Sequence, residues 1–187
     1  MFDDQRSHKL VLVSHCLLNQ NSISDGTADL PSQFDEIVAC LMKNRVGIIQ
    51  LPCPEMSCLG LDRGNPDGGK AELLKENTRI RGLMEETGNA AKLKAAAEEI
   101  ARQIEDYRNH GFEVLGLIGV DRSPSCGVAT TSRHGREEPG RGVFIDVLAG
   151  CLARRRIEIP MVGTRTGRRK ESLTRVKELI RGKGSRP

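Results

Sequence analysis

Tryptophan is absent from the sequence, and tyrosine occurs once and phenylalanine four times. The aromatic platforms on which single-stranded nucleic acid stacks are therefore scarce. No run reaches the eighteen or so apolar residues of a membrane-spanning helix. The opening MFDDQRSHKLVLVSHC is charged, and its apolar run is short and soon broken, unlike a secretory signal. These features point to a cytoplasmic protein with no membrane partner. Internal repeats, low-complexity tracts and paired CxxC knuckles are also missing. What is present is 187 residues, 37% hydrophobic and 29% charged, enough for one globular domain (1–187) that buries its core without disulfides.

The net charge of +4 belongs to the tail, because nine Lys or Arg face two Glu between Gly163 and Pro187. Such a strip could touch RNA. The reading favoured by the pattern is a solvated amphipathic helix at about 170–182, docked through Leu173, Val176, Leu179 and Ile180.

Apolar runs alternate with helical patterns along the chain. Strands are predicted at Lys9 to Ser14, Val46 to Leu51, Phe112 to Val120 and Ile157 to Val162, the last at an edge because of Pro160. Helices are predicted at Gln33 to Arg45, Glu86 to Asn109, Val143 to Arg155 and from about Lys170. Strands separated by helices of ten or more residues imply an α/β fold, a three-layer, Rossmann-like domain with a mostly parallel sheet. The polar, Gly-rich stretch at about 62–87 reads as a long flap.

Six cysteines in a chain without an export signal are better read as thiols than as a disulfide framework. Cys40 and Cys151 lie among apolar residues at helical spacing, as inert core thiols do. Cys16, Cys53, Cys58 and Cys126 sit in loop-like composition. Cys16, Cys53 and Cys126 each follow a predicted strand, and ligands of open parallel sheets bind beyond the carboxyl ends of the strands. Converging thiolates favour zinc or an iron–sulfur cluster over magnesium or calcium. Three isolated cysteines suit a four-iron four-sulfur cluster with one iron open. Zinc, and a set of unrelated loop thiols, are the alternatives.

The segments VSHCLLNQNSISDG, LPCPEMSCLGLDRGNP and GVDRSPSCGVATT, followed by GRGVFIDVLAGCLARRRIEIPMVG, resemble the thiouracil desulfurase family in order and over most of the chain. The resemblance implies a four-iron four-sulfur cluster held by Cys16, Cys53 and Cys126. Its open iron takes the sulfur of a thiolated nucleobase or related thiocarbonyl compound. Non-redox, hydrolase-like desulfuration then gives the oxo compound and sulfide. After CPE, where the family usually has Gly-Gly-Leu, this chain has Met56, Ser57, Cys58, Leu59, Gly60 and Leu61. Cys58 is thus an extra thiol, readable as a fourth ligand, a sulfur acceptor or a bystander.

Within this reading Glu55 is the expected general base and Ser123 a proton relay or hydrogen-bond donor. Asn19, Asn21 and Ser125 are expected to bind the substrate. Asp25 with Gly26 matches a family position and is also an ordinary turn. His15 is expected to point away from the site, and Arg63 and Arg122 either attract an anionic group or are solvated. Two further classes compete: an RNA-associated protein stabilised by a metal or cluster, and a sulfur carrier using Cys53 with Cys58.

Overall fold

Four of the apolar runs pair side by side as parallel strands. The structure, a computed structural model, describes residues 3–182. In chain order these form β1 (Lys9–Val13), α1 (His15–Leu18), α2 (Asp35–Lys43), β2 (Gly47–Gln50), α3 (Pro54–Leu59), α4 (Leu73–Glu85) and α5 (Thr87–Asn109). They continue with β3 (Glu113–Val120), β4 (Thr130–Arg133), β5 (Arg136–Pro139), α6 (Val143–Arg154), β6 (Met161–Thr164) and α7 (Arg169–Ile180). The main sheet has the order β2-β1-β3-β6, every neighbouring pair parallel.

Alternate residues of the strands feed two cores. Val11, Val13 and Ile118 pack with Ile37 and Leu41 of α2 and Val176 and Leu179 of α7. Leu12 and Leu117 pack on the other face with residues of α4, α5 and α6. On α6 the fully buried Phe144, Ile145 and Leu148 each contribute about 1.5–3 kcal/mol by leaving water. The predicted α/β/α layering is therefore present. The winding explains it: β1 to β2 steps one way along the sheet, while β2 to β3 to β6 steps the other way. Crossovers of one hand then place α2 on one face and α5 and α6 on the other.

Register in β3 depends on Gly116, where the pairing with β1 shifts. Its φ is +150°, and a Cβ there would stand 2.4 Å from the Pro160 carbonyl oxygen. No other residue type satisfies both conditions.

Several expectations are corrected. The last strand begins at Met161 rather than Ile157, because Pro160 has no N–H for the ladder and contributes only its carbonyl, which accepts from the Leu117 N–H at 2.9 Å. Half of the stretch read as a flap is the docked helix α4. Its inner face carries Asn77 and Arg81 beside Ile80 and Met84, so polar residues interrupt the apolar period that would have revealed it. The Arg81 guanidinium bonds the Pro124 carbonyl at 3.4 Å and Thr131 Oγ1 at 3.2 Å. Residues 130–139, given no element from sequence, form a hairpin across His134 and Gly135, both in left-handed backbone as a two-residue turn requires. The Cys53-to-Cys58 segment, read as loop, is helix α3 with Pro54 at its first position.

The terminal helix is present as α7, and its strip is less bare than composition suggests. Arg165, Arg168, Arg169 and Arg175 each stand within ion-pair distance of a carboxylate. Lys183 and Arg186, counted in that strip, lie outside the described residues. Among the described residues no helix is long and apolar enough to cross a membrane.

Candidate functional site

The winding reverses between β1 and β3, and the crevice beyond the carboxyl ends of such strands is where ligands bind in open parallel sheets. A cavity of about 100 Å³ lies there, lined by Cys16, Cys53, Cys126, Glu55, Ser123 and Asn77 among others. The three thiols that follow three different strands thus share one space.

Local chemistry fixes each of them. Cys16 is the second residue of α1, which the buried Ser14 at the end of β1 leads into. Cys53 caps α3, its sulfur accepting from the Met56 N–H at 3.5 Å, while Pro54 sets the first helical φ. Cys126 rides on a loop tied at several points. Asp121 Oδ1 accepts from the backbone N–H groups of Val128, Ala129 and Thr130 at 3.3, 2.9 and 3.3 Å. Ser123 Oγ accepts from the Cys126 N–H at 2.9 Å. The carbonyls of Pro124 and Ser125 accept from Val143, Phe144 and Ile145, so the same loop satisfies the first turn of α6. Gly142 permits that approach, since a Cβ there would lie 2.4 Å from the Ser125 carbonyl carbon.

Burial pushes the Cys16 thiol well above its ordinary value, and the charges of Cys126, Cys53 and Glu55 push it further. Burial first and then Glu55 push Cys126 up to about 12, against Ser125, whose Oγ donates to the sulfur at 3.6 Å, and the nearby Ser14 hydroxyl, both of which favour its thiolate. Cys53 is raised by burial and Glu55 and opposed by the Met56 N–H and by Arg63, whose Nη2 stands 3.9 Å from the sulfur. These thiols would repel one another as thiolates. Among the described residues no three His, Cys, Asp or Glu side chains are drawn closely enough together to hold a single metal ion.

Glu55, in the first turn of α3 and 5% exposed, accepts four side-chain hydrogen bonds. Its Oε2 accepts from Arg63 Nε at 3.1 Å and Ser24 Oγ at 3.2 Å. Its Oε1 accepts from Ser125 Oγ at 2.5 Å and Ser123 Oγ at 3.4 Å. Arg63 is neither solvated nor free for an anionic substrate, as the sequence reading had allowed. It is 3% exposed and spends its remaining donors on the carbonyls of Ser22, Gly60 and Leu61.

Other expectations fare differently. Asn19 and Asn21 are exposed and do not line the cavity; Asn19 ends α1, and its carbonyl accepts from Ser22 Oγ, which is turn chemistry. The loop after Cys16 sends in Ser22, Ile23 and Ser24 instead. Cys58 packs against the core under α5 and is absent from the lining, and Lys92 is the charge that acts on it. His15 does line the cavity, contrary to the expectation that it points away. Ser125 is present but buried, facing Glu55. Asp25 is exposed in the turn where Gly26 closes on Gly69. Arg122 is at the cavity wall. Cys151 is a core thiol as expected, whereas Cys40 is only half-buried beside Asn44.

Ser14, Ser24 and Asn77 were missed. Ser14 and Ser24 had only their nearness to the motif cysteines as a signal, and Asn77 had none until α4 was in place.

No family model matches the sequence, and no solved structure matches the chain. A relative does: "Uncharacterized protein MJ0003" of Methanocaldococcus jannaschii is 33% identical over 123 residues, 66% of this chain and 70% of that protein. With one third of the aligned positions shared across more than two thirds of the relative, the chain belongs to the same family as the Methanocaldococcus jannaschii protein.

Proposed function

We propose that the protein is an enzyme that removes sulfur from a thiocarbonyl compound of the thiolated-nucleobase type, replacing it with oxygen from water and releasing sulfide. The observation that carries the reading is the meeting of Cys16, Cys53 and Cys126 around one cavity with Glu55. Three thiols, Cys53 and Cys126 buried and Cys16 half-buried, whose ionised forms repel need a cationic partner to be held as thiolates, and a metal centre would supply it. Three cysteine thiols lining one cavity are a donor set that fits a four-iron four-sulfur cluster. Ser14 Oγ, buried with no hydrogen-bond partner and near enough to Cys126 to favour its thiolate, is a donor awaiting a sulfur acceptor. Cys16, Cys53 and Cys126 would hold the cluster, and the fourth iron would supply Lewis acidity toward the thiocarbonyl sulfur.

The chain's own groups account for the proton. Arg63 and Ser24 hold Glu55 Oε2, which leaves Oε1 facing Ser123 and Ser125. Ser125 is buried, whereas Ser123 keeps partial exposure at the cavity wall. Ser123 Oγ therefore takes a proton from the attacking water and passes its own to Glu55 Oε1. Water oxygen bonds to the thiocarbonyl carbon, the carbon–sulfur bond breaks, and the two protons leave with the sulfide.

Anaerobic reconstitution with iron and sulfide, followed by iron and acid-labile sulfide counts and assay of sulfide release from 2-thiouracil, tests the reading. About four irons per chain with sulfide release is the expected result. A colourless protein that takes up zinc and releases no sulfide would overturn it.

A further inference from the structure

Asn77, on α4 and 7% exposed, belongs to the cavity wall but to no step described above. Its Nδ2 donates to Ser132 Oγ at 3.1 Å. The single proton of Ser132 Oγ is committed to the Arg122 carbonyl at 2.6 Å, so Ser132 can only accept from Asn77. The amide is thereby fixed with its NH₂ toward the protein. Its Oδ1 accepts no hydrogen bond among the described residues. The neighbouring hydroxyls are engaged within the protein: Ser22 donates to the Asn19 carbonyl, Thr27 to the Ser24 carbonyl, and Ser24 and Ser125 to Glu55. A carbonyl-type oxygen with both lone pairs open, on a side chain nine-tenths buried and locked in orientation, is a preorganised reader of a hydrogen-bond donor.

We propose that Asn77 Oδ1 reads a substrate N–H, so that the cavity takes thioamides and thioimides that carry a free N–H and disfavours their N-alkylated analogues. The thiocarbonyl part rests on the desulfuration reading; the N–H part rests on Asn77 alone. An N-methyl group brought against Oδ1 removes the donor and strands a desolvated acceptor, which weakens binding about tenfold or more.

The test is calorimetric titration of the full chain, before and after reconstitution with iron and sulfide, with 2-thiouracil and its N1-methyl and N3-methyl derivatives. Wild type should bind one of the two methyl derivatives at least about tenfold more weakly than the parent. Asn77→Leu should weaken the parent to that level and abolish the discrimination, and Asn77→Ala serves if leucine cannot be packed beside Ser132. Discrimination that survives in a folded Asn77 variant overturns the assignment, as does a wild type that binds all three alike or none. Sulfide release is assayed in parallel. N–H-dependent binding without sulfide release would uphold Asn77 and overturn desulfuration, and sulfide release without discrimination would do the reverse.

Discussion

Arg63 Nε lies 3.1 Å from Glu55 Oε2, and both side chains are almost wholly buried. A buried pair is costly to break from one side, because the surviving charge keeps its desolvation penalty. Arg63→Gln should therefore lower unfolding stability by about 3–5 kcal/mol. Arg63→Lys should not restore it, since one ammonium cannot serve Glu55 and three carbonyls from a planar fork. Urea unfolding reads both, and stability equal to wild type would show the pair to be idle.

Replacing Cys16, Cys53 or Cys126 by Ala should abolish iron and labile-sulfide content after reconstitution. Cys40→Ala, Cys58→Ala and Cys151→Ala should leave it intact, Cys58 because it faces the core and not the cavity. Full iron content in any of the first three variants would remove that residue from the ligand set.

Glu55→Gln and Ser123→Ala should keep the cluster and lower turnover by about two to four orders of magnitude, the usual worth of a positioned acid or base. Ser125→Ala should cost less than Ser123→Ala, since Ser125 is almost wholly buried whereas Ser123 keeps partial exposure at the cavity wall. Sulfide release under saturating 2-thiouracil measures all three, and unchanged rates for Ser123→Ala would break the relay.

Gly142→Ala places a methyl 2.4 Å from the Ser125 carbonyl carbon and 2.7 Å from the Cys126 N. Both atoms are backbone, so the Cys126 loop must shift. A loss of about 1–3 kcal/mol in thermal or urea unfolding is expected, together with poorer iron retention.

Hydrogen bonds from Arg154 and Arg155 hold Glu98 well below the usual carboxylate range, at about 2. A carboxylate depressed on folding contributes stability that is present above its ordinary value near 4.5 and is lost as pH falls toward 2. Glu98→Gln should thus lower the urea midpoint at pH 6, and that difference should shrink as pH falls from about 4.5 through 2. An effect as large at pH 2 as at pH 6 would exclude this linkage.

Much of the sheet was legible because its strands are apolar runs and α2, α5 and α6 carry apolar residues on their buried faces. α4 was not, since Asn77 and Arg81 occupy its inner face and serve the Cys126 loop rather than the core. The hairpin escaped because its strands bury Thr131 and Ser132 instead of hydrophobic residues. Among site residues, the cysteines and Glu55 stand next to strand ends and could be found from the topology. Asn19 and Asn21 could not be separated from turn residues by type alone. Arg63 was open to a solvated or an anion-attracting reading because burial of a guanidinium depends on a carboxylate that only the fold brings to it.

The parallel sheet gathers its three thiols from connections that are far apart in the chain, and Cys126 arrives last, after β3. A nascent chain that has emerged only as far as α5 holds two of them and has not yet begun the central strand against which β1 must pair. Whatever requires all three thiols can meet them only in a chain that already includes β3. The order of synthesis thus makes the central strand available before the last of the three thiols.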